Sequence, residues 1–204
     1  MQLKSLVLAA AMLGVSHGWA LPSIFSRQAK CMTAAETTEM VEIYRKLIAE
    51  YTEELGEKYV HADFVDYSDS INTFIHLPLG GPSFPDRATF LDVQSWNMHF
   101  PMKILSVDAV QCNTVALQWQ SQFGDANLPS KGLTIMKTLY NAEAGHWQVQ
   151  EIIVEFNALT WLLNMGGSYE WEGETWTPER PDPSILAPPK RKLKLRMPKS
   201  LPQN

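Results

Sequence analysis

The sequence predicts an α+β domain in which N-terminal helices pack against an antiparallel sheet. Two observations support this fold class. Apolar residues recur at spacings of three and four over residues 40–55, which is the period of one face of an α-helix. Residues 102–157 then contain four runs rich in β-branched and aromatic residues, and the loops between these runs are short enough to join antiparallel neighbours.

The helical part of the chain is bounded by capping and breaking residues. The first helix opens at Thr33 with a capping box, and Gly56 is predicted to end it. Residues 59–72 are interpreted as a short helix followed by a short strand. The glycines and prolines of residues 77–85 predict a loop, and a second helix is predicted over residues 86–95, capped by its first residue.

The predicted strands are Met102–Gln111, Thr114–Phe123, Gly132–Tyr140 and Trp147–Asn157. Apolar and glutamine side chains alternate along the second strand, which predicts one buried face and one wet face. On the fourth strand, Glu151, Glu155 and Asn157 share a face, which suits either solvent or the floor of a polar pocket. Residues 158–165 are predicted to add two helical turns after the sheet.

The N-terminus has the composition of a secretory signal peptide. Residues 1–20 combine a basic start, an apolar run over residues 6–15 and a small-residue cleavage site that ends at Ala20. A membrane anchor is the alternative interpretation, although the apolar run is short for a bilayer span. We therefore expect a secreted protein without a membrane span, in which residues 21–30 form a connector and residues 31–169 the folded domain.

The two cysteines, Cys31 and Cys112, both lie in the predicted mature chain. In an oxidising compartment, two cysteines most simply form one disulfide. Such a bond would close a loop of about eighty residues, which corresponds to an upper limit of ~4–5 kcal/mol in the chain-entropy treatment. Two buried free thiols are the alternative.

The C-terminal segment, residues 170–204, is predicted to be a proline-rich, basic and disordered tail. Seven of the thirteen prolines lie beyond Thr177, and six basic residues lie within residues 190–199. Without those six, the formal net charge would fall from −5 to −11. An acidic domain with a basic extension is not expected to bind nucleic acid through its folded part. The extension is read as solvated, with contact to anionic surfaces as the alternative.

The order of these elements resembles the cone-shaped α+β fold of nuclear transport factor two, ketosteroid isomerase, scytalone dehydratase and the SnoaL-like polyketide cyclases. In its local motifs, the sequence more closely resembles a group of secreted fungal proteins with this domain, most of them of unassigned function. The residues that carry this resemblance are Asp66–Asn72, Pro78–Pro82 and Val154–Leu163. It covers about Cys31–Tyr169 and implies a curved antiparallel sheet wrapped on the N-terminal helices.

The enzymes that share this fold imply acid–base chemistry inside the cone, but their residue sets do not transfer to this chain. Tyr67, Asp69, His76 and His99 are residue types found in scytalone dehydratase-like sites, without a one-to-one match. The aspartate base and tyrosine-plus-acid set of ketosteroid isomerase-like sites has no convincing counterpart. The histidines lack metal-ligand spacing, so we expect neither a metal nor a cofactor.

Five residues are candidates for contact with a ligand: Tyr67, Asp69, Trp119, Glu155 and Asn157. Trp119 is the candidate for the apolar wall, and the other four are candidates for polar contacts, as in most small-molecule sites. Each has a structural alternative: Asp69 is a natural Asx-turn residue, and the tryptophans are natural core residues.

Three functions remain open at this stage. The first is a binding domain that holds a small apolar or polyketide-like molecule in the cone. The second is a lyase or isomerase, dehydratase- or cyclase-like, that uses acid–base chemistry in the same cavity. The third is a protein without a pocket that pairs as a homodimer through its sheet, since this fold often dimerises in that way.

Deletion of residues 178–204 is expected to leave the melting temperature nearly unchanged, because this segment is predicted to make no packed contacts. Lys190-Arg191 is also a dibasic pair of the kind that secretory proteases cut. Calorimetry on the full and shortened chains checks this. A fall of more than about 5 °C, or about 1–2 kcal/mol for a domain of this size, would show that the tail packs on the domain.

Overall fold

The computed structural model describes residues 30–124 and 126–177 of the 204-residue chain. The predicted signal peptide, the connector up to residue 29 and the tail beyond Thr177 lie outside the described residues. Among those that are described, no helix has both the length and the apolar character needed to cross a membrane.

Helices alternate with single strands in the first half of the chain, and long strands follow. The helices are α1 (Ala34–Ala49), α2 (Glu53–Tyr59), α3 (Asp69–Ile75), α4 (Arg87–Trp96) and α5 (Ala158–Asn164). The strands are β1 (Val60–Tyr67), β2 (Pro82–Phe84), β3 (Met102–Gln111), β4 (Thr114–Ser121), β5 (Ser130–Asn141), β6 (His146–Phe156), β7 (Tyr169–Trp171) and β8 (Glu174–Trp176).

The main sheet has six strands in the order β2-β1-β6-β5-β4-β3. Strands β3 to β6 form an antiparallel meander, as the sequence predicted, and their bounds agree with the prediction to within two residues. Strand β1 extends this sheet by pairing parallel to β6, and β2 pairs antiparallel to β1 at the edge. The predicted α+β class with a curved, mainly antiparallel sheet is confirmed.

The first predicted helix is in fact two helices, so the prediction that Gly56 ends it is wrong. Helix α1 ends at Ala49, and α2 begins after a new cap, in which the Thr52 side chain accepts a hydrogen bond from the backbone of Leu55. Gly56 lies buried within α2, and a Cβ atom there would lie 2.5 Å from the Tyr51 hydroxyl. The glycine is therefore explained by close packing rather than by a helix end.

The predicted order of elements over residues 59–72 is reversed in the structure. The strand β1 comes first, and α3 follows it with Ser68 as its N-cap. Burial alternates along the end of β1, where Phe64 and Asp66 are buried and Tyr67 is exposed. This alternation decides which polar side chains of the segment reach the inside of the protein.

The core lies between α1 and the inner face of the sheet, a region that we call the interior. Helix α1 contributes Met40, Tyr44 and Leu47, all at most 2% exposed. Alternate residues of β4, β5 and β6 meet them, including Leu117 and Ile152. Burial of each large apolar side chain stabilises the fold by roughly 1.5–3 kcal/mol, and the predicted apolar face of β4 is confirmed.

The start of the domain is fastened to the turn between β3 and β4. Cys31 and Cys112 form a disulfide across a sequence separation of 81 residues. Beside it, the backbone N–H of Met32 donates to the carbonyl oxygen of Cys112 at 2.9 Å. The predicted pairing is thus present in the structure.

The first residues of the predicted tail are ordered into secondary structure, contrary to the prediction for that part. Strands β7 and β8 form a two-stranded antiparallel hairpin, with Tyr169 opposite Trp176. The Gly173 φ of +81° supplies the left-handed backbone that the tight turn between the strands needs.

Replacing both cysteines, as Cys31→Ala with Cys112→Ala, is expected to lower the melting temperature by about 5–15 °C, because the unfolded chain regains the freedom that the long loop closure removes. Calorimetry of the double variant against the wild type measures this. Intact-mass analysis after alkylation is the control. Uptake of two alkyl groups by the unreduced wild type would contradict the pairing.

Candidate functional site

A carboxyl group lies buried in the interior at the end of β1. Asp66 is opposite Ile152 of β6 and Phe84 of β2, and it is 2% exposed. Its Oδ1 finds no hydrogen-bond partner among the residues that the structure describes. Burial raises the pKa of Asp66 to about 8, with a further contribution from repulsion by Glu155. At neutral pH the group is therefore mainly a protonated acid, which can donate a hydrogen bond.

A second polar group in the interior joins α1 to the sheet. The Tyr44 hydroxyl oxygen lies 2.6 Å from Oγ1 of Thr134, and the Trp119 indole N–H donates to the same Oγ1 at 3.0 Å. Burial raises the pKa of the Tyr44 hydroxyl, and the charge of Asp66 acts in the same direction. Tyr44 therefore stays protonated and available as a hydrogen-bonding group.

The indole of Trp119 fits in the interior because the residue opposite it has no side chain. Gly132 is its partner on β5, and a Cβ atom at that position would lie 2.3 Å from Cζ2 of the indole ring. Any larger residue would push the ring away from Thr134. Trp119 thus lies inside, as the sequence analysis predicted for an apolar wall.

An aromatic cluster lies between α5 and the sheet. Its members are Phe100, Trp119, Phe123, Phe156 and Trp161. Trp161 of α5 is in contact with the other four, at ring-centroid distances from 4.5 to 6.2 Å. Trp119, the candidate for the apolar wall, is thus in contact with two other rings of this cluster, those of Phe156 and Trp161.

The carboxyl group of Glu155 binds the N-terminus of α3. Its Oε1 accepts from the backbone N–H of Asp69 at 2.6 Å, and its Oε2 accepts from the N–H of Ser70 at 2.9 Å and from the Ser70 hydroxyl. A carboxylate at the N-terminus of a helix satisfies free N–H groups and interacts favourably with the helix dipole. Glu155 therefore fixes the start of α3, on the outer side of the sheet.

The other three predicted polar contacts also point away from the interior. Tyr67 is 38% exposed, and it pairs in register with Ile153 on the outer face. Asp69 accepts at Oδ1 from the N–H of Gly80 at 2.7 Å, so it anchors the glycine-proline loop. Asn157 caps α5, and its Oδ1 accepts from the N–H of Thr160 at 3.1 Å.

The structure therefore does not bring the five predicted residues together. The expectation that Tyr67 and Asp69 enter the cone is wrong: the two-residue period of β1 turns Asp66 inward and Tyr67 outward, and Asp69 lies in the exposed first turn of α3, where it binds Gly80. Sequence reasoning missed Asp66, Tyr44 and Thr134 as polar groups of one interior. A signal for Asp66 existed, since a strand that buries Phe64 also buries the residue two positions later.

Two depressions on the described part of the molecule lie at its surface. One of about 400 Å³ lies on the outer face of the sheet beside Gln118, Lys131 and Leu133. A smaller one of about 90 Å³ lies beside Glu36 and Trp147. Within the described residues, no three histidine, cysteine, aspartate or glutamate side chains come together as metal ligands would.

Asp66→Asn is expected to change how stability depends on pH. A carboxyl group whose pKa is higher in the folded than in the unfolded chain binds its proton more tightly when folded. Its contribution to stability is therefore full below about pH 4 and is lost as the pH rises toward about 8. From pH 5 to pH 8, the free energy of unfolding of the wild type should fall by about 3 kcal/mol relative to Asp66→Asn.

Urea unfolding of both proteins at pH 5, 6.5 and 8 measures this difference. Asp63→Asn is the matched control, because Asp63 is on the same strand with its side chain 83% exposed. A constant difference between the wild type and Asp66→Asn across this range would contradict the raised pKa.

Several solved structures match this chain at low sequence identity. An NTF2-like protein of unknown function from Silicibacter pomeroyi is 16% identical, with a TM-score of 0.41, over 62% of this chain and 100% of its own. A ketosteroid isomerase-like protein from Erwinia carotovora atroseptica is 10% identical, with a TM-score of 0.40, over 60% of this chain and 94% of its own. A protein named as a SnoaL-like polyketide cyclase, from Shewanella denitrificans, is 10% identical, with a TM-score of 0.45, over 65% and 98%.

At these identities and TM-scores, the three structures support no statement about activity. No curated protein matches the chain. The model of the NTF2-like domain, in contrast, matches residues 30–168, which is more than half of the chain and includes α1 to α5 with the whole six-stranded sheet. The chain therefore belongs to the NTF2-like family.

Proposed function

We propose that this protein is a secreted binding domain that holds a small, mainly apolar molecule in its interior, next to Asp66. The observation that carries the proposal is the buried Oδ1 of Asp66, which has no partner among the described residues. Leaving a buried polar atom unpaired costs roughly 1–3 kcal/mol. A ligand with a hydrogen-bonding group recovers that cost.

The protonation state of Asp66 defines the polar group that this ligand carries. A carboxyl group with a pKa of about 8 is mainly protonated at neutral pH, so it donates a hydrogen bond. The matching ligand group is an acceptor, such as a carbonyl or hydroxyl oxygen. The other polar atoms of the interior include those of Tyr44, Thr134 and Trp119, which bond to one another, and a mainly apolar surrounding with few polar groups is the usual composition of a small-molecule site.

Acid–base catalysis on the bound molecule is the second candidate function. The observation that favours it is the pKa of Asp66, because an acid that titrates near the working pH transfers protons efficiently. A lyase or isomerase also needs a partner group that completes the proton transfer. Among the hydrogen bonds of the described residues, none joins Asp66 to such a group through its side chain, so binding is the better supported function.

Pairing of two copies through the sheet is supported by a separate feature. A row of outward-facing apolar residues crosses the strands, in register, from Ala109 through Ala116, Ile135 and Ile153 to Tyr67. Ile135 is 42% exposed, and the neighbouring Leu133 is 60% exposed. An exposed apolar surface of this kind is typical of a protein interface, and a homodimer is compatible with ligand binding in the interior.

The binding proposal is tested by thermal shift with a panel of aromatic polyketides and terpenoids. A compound present at about 100 times its Kd should raise the melting temperature of the wild type by about 5–10 °C. Asp66→Leu should weaken that compound about tenfold, because the donor is lost. Asp66→Asn keeps a donor and should bind more tightly than Asp66→Leu, and Asp63→Asn should behave as the wild type.

The outcome decides between the candidate functions. If no compound stabilises the wild type and native mass spectrometry of the secreted protein finds no retained molecule, the binding proposal is wrong. If a compound is consumed, and Asp66→Asn stops turnover while binding persists, catalysis replaces it. The same mass spectra report the assembly state, so a purely monomeric protein would contradict pairing through the sheet.

A further inference from the structure

Trp161 is at the centre of the aromatic cluster, because its ring contacts each of the other four rings. Its ring lies 4.5 Å from Phe123, 4.9 Å from Phe156, 5.4 Å from Phe100 and 6.2 Å from Trp119. The other four rings come from the sheet strands and their ends, whereas Trp161 comes from α5. Removal of this one side chain would leave an indole-sized space surrounded by four aromatic rings.

Helix α5 has little that would hold it in place by itself. It has seven residues, and helices this short are marginal in water without tertiary contacts. Leu159 and Met165, at its two ends, are 51% and 52% exposed. Its position therefore depends on tertiary contacts, among them those of Trp161, of Leu163, which is 8% exposed, and of the two helix ends.

One contact at the C-terminal end of α5 has the form of a latch. The amide of Asn164, 2% exposed, makes two hydrogen bonds of 2.8 Å to one residue of the loop between β4 and β5. Its Oδ1 accepts from the N–H of Leu128, and its Nδ2 donates to the carbonyl of the same residue. In this loop Gly124 touches the helix end so closely that a Cβ atom would lie 1.7 Å from the Asn164 carbonyl oxygen.

We propose that α5 is a latched lid, that Trp161 occupies from within the chain the place of a ligand's ring system, and that Asn164 is the latch. This inference rests on the proposed binding function. It also defines the ligand class: a flat, bicyclic apolar molecule of about the size of indole. Such a ligand recovers the ring contacts that Trp161 gives up, at about 0.5–1.5 kcal/mol for each aromatic pair.

The lid lowers the apparent affinity of the wild type, because only the open fraction of molecules can bind. Removing the Trp161 side chain, which we call the plug, or the Asn164 latch raises that open fraction. We therefore expect Trp161→Ala to bind 2-naphthol at least tenfold more tightly than the wild type. Asn164→Ala, which keeps the plug, should raise the association rate several-fold and should increase the hydrogen exchange of residues 158–165 in the free protein.

Trp147→Ala is the matched control for the plug variant. Trp147 is another buried tryptophan, 4% exposed; its ring contacts the ring of Tyr140 and the ammonium group of Lys30, which do not belong to the aromatic cluster. An equal gain in 2-naphthol affinity in Trp147→Ala and Trp161→Ala would show that any tryptophan-sized cavity suffices, and it would overturn the inference.

A measurement on the wild type keeps the inference testable even if a variant fails to fold. Binding of a stabilising panel compound should increase hydrogen exchange over residues 158–165, because the ligand takes the place of the plug. Unchanged or slower exchange with the ligand bound would overturn the lid while leaving the proposed function intact. No binding of 2-naphthol or of any panel compound to the wild type and to both lid variants would overturn both.

Discussion

The hydroxyl group of Thr134 is the point at which the two layers of this protein are held together. The Tyr44 hydroxyl reaches it from α1, and the Trp119 indole reaches it from β4. A buried hydroxyl can accept two hydrogen bonds and donate one, so one small side chain satisfies both large ones. Because a buried polar group without a partner is costly, this meeting point fixes the position of the helix relative to the strands. Gly132 is needed for the same reason, since it leaves room for the indole.

Two carboxyl groups of this protein, those of Glu155 and Asp66, have different surroundings, and the first affects the pKa of the second. The carboxyl group of Glu155 is satisfied, because it accepts hydrogen bonds from the N–H groups at the start of α3. Asp66 is buried without such donors, and the nearby charge of Glu155 adds to the cost of ionising it. The same residue thus stabilises the start of α3 and adds to the effect of burial, which is the main cause of the raised pKa of Asp66. If a ligand binds next to Asp66, the charge that favours its protonated state comes from a residue that does not touch the ligand.

Stability and access compete at the aromatic cluster. The contacts of Trp161 bury apolar surface and help to hold α5, so they contribute to folding in the absence of any ligand. In the proposed lid, the same contacts keep a ligand out. A domain of this construction is stable when empty and binds only as tightly as the opening of its lid permits. The amide latch of Asn164 adjusts that balance without a role in the ring contacts themselves.

The sequence by itself determined the features that depend on near neighbours along the chain. These include the bounds of β3 to β6, the capping box of α1, the alternating faces of β4 and β6 and, with only two cysteines present, the disulfide. Trp119 also followed from local alternation. Tertiary structure alone decided that β1 pairs parallel to β6, which joins Asp66 to Ile152 across more than eighty residues. It also decided that Glu155 serves α3 and that Trp161 enters a ring of four aromatic side chains. The physical reason is that periodicity reports which face of an element is buried, whereas the partners on that face depend on how distant elements pack.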